Sequence, residues 1–108
     1  MSKINSRAKG CRGEREFRDV LRAQGFTARR GQQFSGSPDS PDVVCEEFPA
    51  VHFEVKRTQN GNPYKWLDQA MQDCGMHKMP IVVHKRNGRE WIGILHIDDL
   101  IQLLKSAK

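Results

Sequence analysis

The stretch SPDVVCEEFPAVHFEVK, residues 40–56, places charged side chains in segments that otherwise have the composition of buried β-strands. A Pro-Asp pair precedes the first apolar run, and a Glu-x-Lys triplet ends the second. Ionised side chains are costly to bury unless they pair with one another or hold a metal ion. Asp42, Glu54 and Lys56 therefore indicate a functional site built on two neighbouring strands.

The alternation of side chains in the second strand, predicted over residues 50–57, separates a core face from a functional face. A tight connection near residues 48–49 pairs this strand with the one predicted over 42–47, which brings Asp42 close to the end that carries the Glu-x-Lys triplet. The core face is formed by Val51, Phe53 and Val55, and the opposite face by His52, Glu54 and Lys56.

A carboxylate pair of this kind suits a hard divalent cation. Mg²⁺ prefers oxygen ligands and is usually held by one or two carboxylates, with waters and substrate phosphates completing its shell. We expect Asp42 and Glu54 to share Mg²⁺ with the backbone carbonyl of Val55, and Mn²⁺ to substitute for it. Lys56, beside the metal, would orient the attacking water or stabilise charge on the phosphate.

Glu14 adds a third acid, on a helix predicted over residues 12–24. It shares the apolar stripe of that helix, because two apolar members of the stripe follow it by three and seven residues. A glutamate near a helix start can also be explained by the helix dipole. We favour a metal-site role, because a buried acid requires a partner or a metal.

The other segments predict one α/β domain with a mixed five-stranded sheet flanked by helices. Residues 1–11 are expected to form a flexible basic arm. Strands are predicted at 26–30, 42–47, 50–57, 81–85 and after Asn87-Gly88. A second helix begins at Asn62-Pro63 and ends at Gly75, with Trp66, Leu67, Ala70, Met71 and Cys74 inward. Asp98 is expected to cap a last helix whose buried stripe is Leu100, Ile101, Leu103 and Leu104.

Charge is concentrated at the start of the chain. The 108 residues carry a net charge of +5, but residues 1–30 hold nine basic and three acidic side chains, a net charge of +6. Seven of the nine are arginine, whose planar fork grips phosphate. The pattern favours a nucleic-acid-binding face over a merely solvated helix face.

Compartment and redox state are also indicated by the sequence. No apolar run approaches the roughly 20 residues needed to cross a membrane, and the start MSKINSRAKG lacks the apolar core of a secretory signal. The three cysteines are odd in number and contain no Cys-x-x-Cys pair. We expect a cytoplasmic protein without disulfides.

The chain resembles the archaeal-type Holliday junction resolvases of the PD-(D/E)xK nuclease superfamily. The motifs that carry this resemblance lie between residues 9 and 57. In chain order they are Lys9-Gly10, Glu14-Arg15-Glu16-Phe17, Gly25-Phe26, Arg30, Gly36-Ser37, Asp42-Val43-Val44 and Glu54-Val55-Lys56.

The resemblance implies a restriction-endonuclease-like fold and a Mg²⁺-dependent endonuclease that acts on branched DNA as a homodimer. It makes Glu14, Asp42 and Glu54 the metal-site acids and Lys56 the catalytic lysine. Ser37 becomes a loop serine close to the scissile phosphate. Basic residues expected to contact DNA are Arg7, Lys9, Arg12, Arg15, Arg29 and Arg30.

Two features depart from that pattern. The loop repeats Ser-Pro-Asp, so Asp39 competes with Asp42; we favour Asp42 because the apolar residues after it continue as a strand. The segment QNGNPYKWLDQ, with Gln69, is more similar to the related virus-type nuclease modules, in which a helix glutamine approaches the site.

Two alternatives to a phage-type junction resolvase stay open. One is a less selective nuclease of flaps, nicks or duplex, and the other a non-catalytic DNA-binding module of the same fold. The intact set of acids argues against the second, because a binding module has no need for carboxylates facing phosphate. The apolar residues of the C-terminal hairpin and helix indicate a candidate dimer face.

Overall fold

A computed structural model of the protein describes residues 6–31 and 41–107, with side chains described from Cys11 onwards. It has the predicted α/β architecture, with three helices and a five-stranded mixed sheet in these ranges. In chain order the elements are α1 (Ser6–Ala23), β1 (Ala28–Arg30), β2 (Val43–Cys45), β3 (Val51–Arg57), α2 (Pro63–Asp73), β4 (Met79–Lys85), β5 (Ile92–Ile94) and α3 (Ile97–Ser106).

The strands lie in the order β1-β2-β3-β4-β5. Only β3 and β4 are parallel, and α2 forms the crossover between them. On one face of the sheet, Phe17 of α1 packs in a buried cluster with Phe53 and Val83. On the other, α2 packs against Val82. Because neighbouring residues of a strand point to opposite faces, α1 and α2 cover opposite sides of the sheet.

Helix α1 begins at Ser6, so its predicted start at residue 12 is wrong, and residues 6–11 of the expected arm are helical. The prediction placed the helix start where the apolar stripe begins. The preceding segment contains arginine, alanine and lysine, which have high intrinsic helix propensity. They extend the helix beyond the turns that pack on the sheet.

Helix α2 begins as predicted. The Asn62 side chain accepts hydrogen bonds from the backbone N–H groups of Tyr64 and Lys65, and Pro63 occupies the first turn. This arrangement satisfies amide groups that have no partner within the helix. Leu67 and Ala70 are buried as expected, but Met71 is 58% exposed, so its predicted inward position is wrong.

Helix α3 differs most from expectation. Its N-cap is His96, without a side-chain cap bond, and Asp98 lies in the first turn. The stripe predicted to be buried is exposed, and α3 has no buried residue. The exposed members are Leu100, Ile101, Leu103 and Leu104. Amphipathic spacing shows which face of a helix is apolar, but it does not show that this face is buried. Helix α3 follows the edge strand β5, where no element of the described chain covers it.

The described helices include none that is long and apolar enough to pass through a lipid bilayer. Cys11, Cys45 and Cys74 are free thiols in the described structure.

Candidate active site

Asp42 lies at the bend that leads into β2, where its backbone is held on both sides. The N–H of Gly31 donates to the Asp42 carbonyl oxygen at 2.9 Å, and the Asp42 N–H donates to the Phe53 carbonyl oxygen at 2.9 Å. Val43 is paired with Phe53 in the antiparallel register of β2 and β3. The next pair along is therefore Asp42 and Glu54, as the tight connection predicted.

The Asp42 carboxylate is part of this strand pairing. Its Oδ2 accepts a hydrogen bond of 2.8 Å from the backbone N–H of Val55. Burial and the nearby negative charge of Glu54 raise the pKa of Asp42 to about 7, against the lowering effect of the Val55 hydrogen bond. Glu14 also raises this pKa and Lys56 lowers it. The four predicted site residues Glu14, Asp42, Glu54 and Lys56 therefore lie close enough to interact electrostatically.

Glu54 lies in the middle of β3, beside a fully buried histidine. The His52 ring is 0% exposed, and its Nε2 is 3.5 Å from Oε1 of Glu54. Neither ring nitrogen has a hydrogen-bond partner among the described residues, so this approach is a close contact rather than a formed hydrogen bond. His52 touches the site from the face that alternation assigned to it.

Glu14 reaches the site from α1 and is ion-paired there. The Nε of Arg30 donates to Glu14 Oε1 at 3.1 Å, and Nη2 of Arg30 lies 2.8 Å from the Cys11 sulfur. Burial raises the pKa of Glu14, Arg30 opposes this change, and the charge of Glu54 adds to it. Arg30, expected on the DNA backbone, thus contacts a site acid in the described structure.

The predicted metal ligands form a pair rather than a cluster. Within the part of the chain that the structure describes, no three His, Cys, Asp or Glu side chains are placed to hold one ion. Asp42 and Glu54 remain opposite each other, with the half-buried Lys56 next along the strand. Two carboxylates and a backbone carbonyl are hard oxygen donors, and Mg²⁺ is commonly held by one or two carboxylates. The donor set fits Mg²⁺, with Glu14 at the edge of the site.

The predicted DNA-binding residues are partly described. Arg12, Arg15 and Arg29 are exposed, and Gln69 is exposed on α2. Ser37 and Asp39 fall outside the described residues, as do the side chains of Arg7 and Lys9. Contacts of all these residues with DNA stay predictions, as does the choice of Asp42 over Asp39.

A basic cavity beside the site was missed by sequence reasoning. It is bordered by His84 near the end of β4 and by Arg86 and Arg89 in the turn that follows this strand. The available signal was the sequence HKRNGR, residues 84–89, which was interpreted only as a hairpin turn.

Comparison with known proteins identifies the family. Residues 5–108 match the family described as "Phage putative PDDEXK endonuclease". No curated protein matches the chain.

Among solved structures, the chain is similar to Hjc from Archaeoglobus fulgidus, a Holliday junction resolvase from an archaeal hyperthermophile. The TM-score is 0.59 at 23% identity, and the match covers 78% of this chain and 73% of Hjc. At this identity the similarity shows the fold, which is restriction-endonuclease-like. Because the family match spans nearly the whole sequence and the fold agrees with it, the chain belongs to this family of phage PD-(D/E)xK endonucleases.

Proposed function

We propose that the protein is a Mg²⁺-dependent, structure-selective DNA endonuclease that resolves four-way junctions by paired phosphodiester hydrolysis. The observation that carries the nuclease chemistry is the placement of half-buried Asp42 opposite Glu54, with Lys56 two residues further along the same face of the strand. Burial and the negative charge of Glu54 raise the pKa of Asp42, so the site favours a positively charged ligand.

Each site residue has a role that its position supports. Asp42, Glu54 and the Val55 carbonyl would hold Mg²⁺, which when bound supplies Lewis acidity next to the scissile phosphate. The Val55 N–H donates a hydrogen bond to the Asp42 carboxylate and so fixes its orientation. Lys56 would orient the attacking water or stabilise the charge that develops on the phosphate oxygens. Mn²⁺ would substitute for Mg²⁺.

Branched DNA as substrate is supported by the fold and by charge. Hjc, whose fold the chain shares, is a Holliday junction resolvase. Exposed Arg12 and Arg15 lie on the helix that carries Glu14, so phosphates bound there would be held next to the site. Phosphate contacts position a nucleic acid without reading its sequence, which suits an enzyme that selects a shape.

A homodimer is supported by the exposed apolar face of α3, for which a second copy of the chain is the proposed occupant. Asp98 and Asp99 lie in the first turn of this helix and Lys105 in its last turn. A two-fold axis would pair two α3 helices antiparallel, with each acidic end against a basic end. Stable dimers bury about 800 Å² per partner, and exposed Ile92 on the edge strand β5 extends the apolar surface beyond α3.

One assay tests the function directly. Labelled four-way junction, flap, nicked duplex and linear duplex are incubated with the protein, with and without Mg²⁺. Paired incisions in opposing strands of the junction, dependent on Mg²⁺, are expected. Equal cleavage of all four substrates would indicate that the protein is a less selective nuclease rather than a resolvase. Binding without cleavage under every metal condition would indicate that it is a non-catalytic DNA-binding module.

A further inference from the structure

A cavity of about 310 Å³ opens between the start of α2 and the turn that follows β4. Its lining includes one tryptophan, two arginines and one histidine. The residues used below are Gly61, Trp66, His84, Arg86 and Arg89. This volume is at the lower end of the range typical of small-ligand pockets, which suits one nucleotide rather than a duplex.

The cavity lies beside the proposed catalytic residues on the same face of the sheet. His84 of β4 is the register partner of Lys56 in the parallel pairing with β3. Residues paired across a sheet share a face, so His84 and Lys56 both lie on the α2 side. Glu54 is two residues before Lys56, which puts the backbone positions of Glu54 and His84 about 8 Å apart by strand geometry.

Trp66 forms an aromatic wall of the cavity. It is half-buried and packs against the cluster formed by Leu67, Ala70 and Val82, in agreement with its expected core position. It also contacts the His84 ring in a tilted arrangement, with a centroid distance of 4.7 Å and an interplanar angle of 55°. The rest of the indole lines the cavity, where it can meet the flat surface of a base.

The walls are held in place before any ligand binds. His84 Nε2 is hydrogen-bonded to the Thr58 carbonyl oxygen at 2.9 Å. Gly61 lies so close to the six-membered ring of Trp66 that a Cβ at this position would overlap it. A preorganised site loses less entropy when it binds a ligand.

The cationic groups of the cavity are available to phosphate. Arg86 is exposed. Arg89 is paired with Glu90 at 3.0 Å, but the two side chains are 65% and 67% exposed. Such exposed pairs contribute little stability, so a phosphate can displace Glu90 from Arg89. Glu90 also lines the cavity, and its charge is offset by these two arginines.

We propose that this cavity binds an unpaired nucleotide of the DNA substrate next to the scissile phosphate, with its base against Trp66 and its phosphate between Arg86 and Arg89. Aromatic stacking combined with a cationic groove is how proteins hold single strands without reading sequence. The proposal rests on the proposed function and adds to it a reason for structure selectivity. Branch points and flaps can supply an unstacked nucleotide, whereas intact duplex must first be opened.

The test uses Trp66 as its own reporter. The chain has two tryptophans, so the Trp91→Phe variant leaves Trp66 as the sole indole. Hexathymidylate, added without metal, is expected to quench its fluorescence with a saturable curve. In the converse variant, Trp66→Phe, the remaining Trp91 packs against Phe17 in the core and should show no quenching.

Exposed side chains test the phosphate contacts without disturbing the fold. Arg86→Ala with Arg89→Ala should weaken hexathymidylate binding about tenfold or more, because charge-assisted hydrogen bonds are lost. The slope of log affinity against log salt should flatten by about 0.7, since one phosphate contact is lost and each single-strand phosphate contact contributes about 0.7. Lys78→Ala, a loss of charge at an exposed position just before β4 and at the opposite end of that strand from the cavity, is the matched control and should bind as wild type. Absence of quenching, or a double variant that binds like Lys78→Ala, would overturn the proposal.

The failure of this inference can be told apart from the failure of the proposed function. If the cavity is unused, the double variant will resolve junctions at the wild-type rate while quenching is absent. If the protein is not a nuclease, quenching will persist while no DNA is cut under any metal condition. If the protein is a nuclease and the cavity binds a nucleotide, the double variant should lose more activity on flaps and junctions than on nicked duplex.

Discussion

The carboxylate of Asp42 accepts a hydrogen bond of 2.8 Å from the backbone N–H of Val55, the middle residue of the Glu-x-Lys triplet. This bond joins the two halves of the predicted site and fixes the side chain of Asp42 opposite Glu54. The first prediction follows from it. Asp42→Asn preserves an oxygen that can accept from Val55 but removes the charge that would hold Mg²⁺.

Asp42→Asn and Glu54→Gln should each reduce cleavage by several orders of magnitude, since a lost ligand removes several kcal/mol of transition-state stabilisation. DNA affinity should be unchanged or higher, because a carboxylate that repels phosphate is gone. Single-turnover cleavage and binding are measured on the same junction. Asp39→Asn is the matched comparison: if it is inactive while Asp42→Asn cuts normally, Asp39 is the ligand.

The second prediction concerns pH and stability without metal. Folding raises the pKa of Asp42 from 3.8 to about 7, so the folded state binds the proton more tightly than the unfolded state. The contribution of Asp42 to stability is therefore fully present below about pH 4 and is lost as pH rises through about 7. The loss is on the order of a few kcal/mol, since one pKa unit corresponds to about 1.4 kcal/mol.

Urea denaturation between pH 4 and pH 8 checks this prediction. Asp42→Asn should lack that part of the pH dependence and should be more stable than wild type at neutral pH. Asp68→Asn, an exposed aspartate on α2, provides the control and should follow the wild-type curve. Mg²⁺ should raise the melting temperature of wild type at pH 8 but not that of Asp42→Asn. A free energy of unfolding of the wild type that rises between pH 4 and 7 would contradict the raised pKa of Asp42.

The third prediction concerns the exposed arginines of α1. If Arg12 and Arg15 contact duplex phosphates, affinity for a junction should fall steeply with salt. Each alanine substitution should flatten the log–log slope by about 0.9. Electrophoretic or anisotropy titrations at several salt concentrations provide the slopes, with the exposed Lys78→Ala as the control. Slopes that stay at the wild-type value would show that these arginines are solvated and do not contact DNA phosphates.

The fourth prediction concerns α3. Ile101→Glu and Leu104→Glu place a charge in the exposed apolar stripe of this helix and should convert a dimer to a monomer. Tyr64→Glu, at an 81% exposed position on α2, should leave the dimer intact. Analytical ultracentrifugation measures the result. A wild-type protein that is monomeric at every concentration would remove the proposed role of this face.

The fifth prediction combines the site with the dimer. When wild-type subunits are mixed with Glu54→Gln subunits, heterodimers should cut one strand and leave the junction linked, because each subunit has one site. Junctions carried on supercoiled plasmid separate the products, since a single nick gives open circles and paired cuts give linear DNA. Linear product in proportion to total wild-type subunits, with no excess of open circles, would show that one subunit makes both cuts.

The predictable part of the site depended on local geometry. Side chains alternate along any strand, and the short connection before β3 left little choice of register, so Asp42 was placed opposite Glu54 from the sequence. The cavity beside it was not predictable in this way. It depends on the pairing of Lys56 with His84, residues brought together by a parallel crossover whose register no short turn fixes.

The limits of the fold prediction have similar causes. Element types and order were correct because apolar periodicity and the cap at Asn62 are local signals. The start of α1 was misplaced because residues outside the packed stripe can still be helical. The burial of α3 was misjudged because periodicity identifies an apolar face without showing whether the same chain covers it.

Helix α3 has 10 residues and none of them is buried, and this has a consequence for how the protein folds. Isolated helices shorter than about 12 residues are marginal in water, because nucleation is costly and packing normally supplies the stability. In a lone subunit the amide hydrogens of α3 should therefore exchange with solvent far faster than those of the central strand β4. Association would slow this exchange, so the C-terminal helix would complete its folding only when two chains meet.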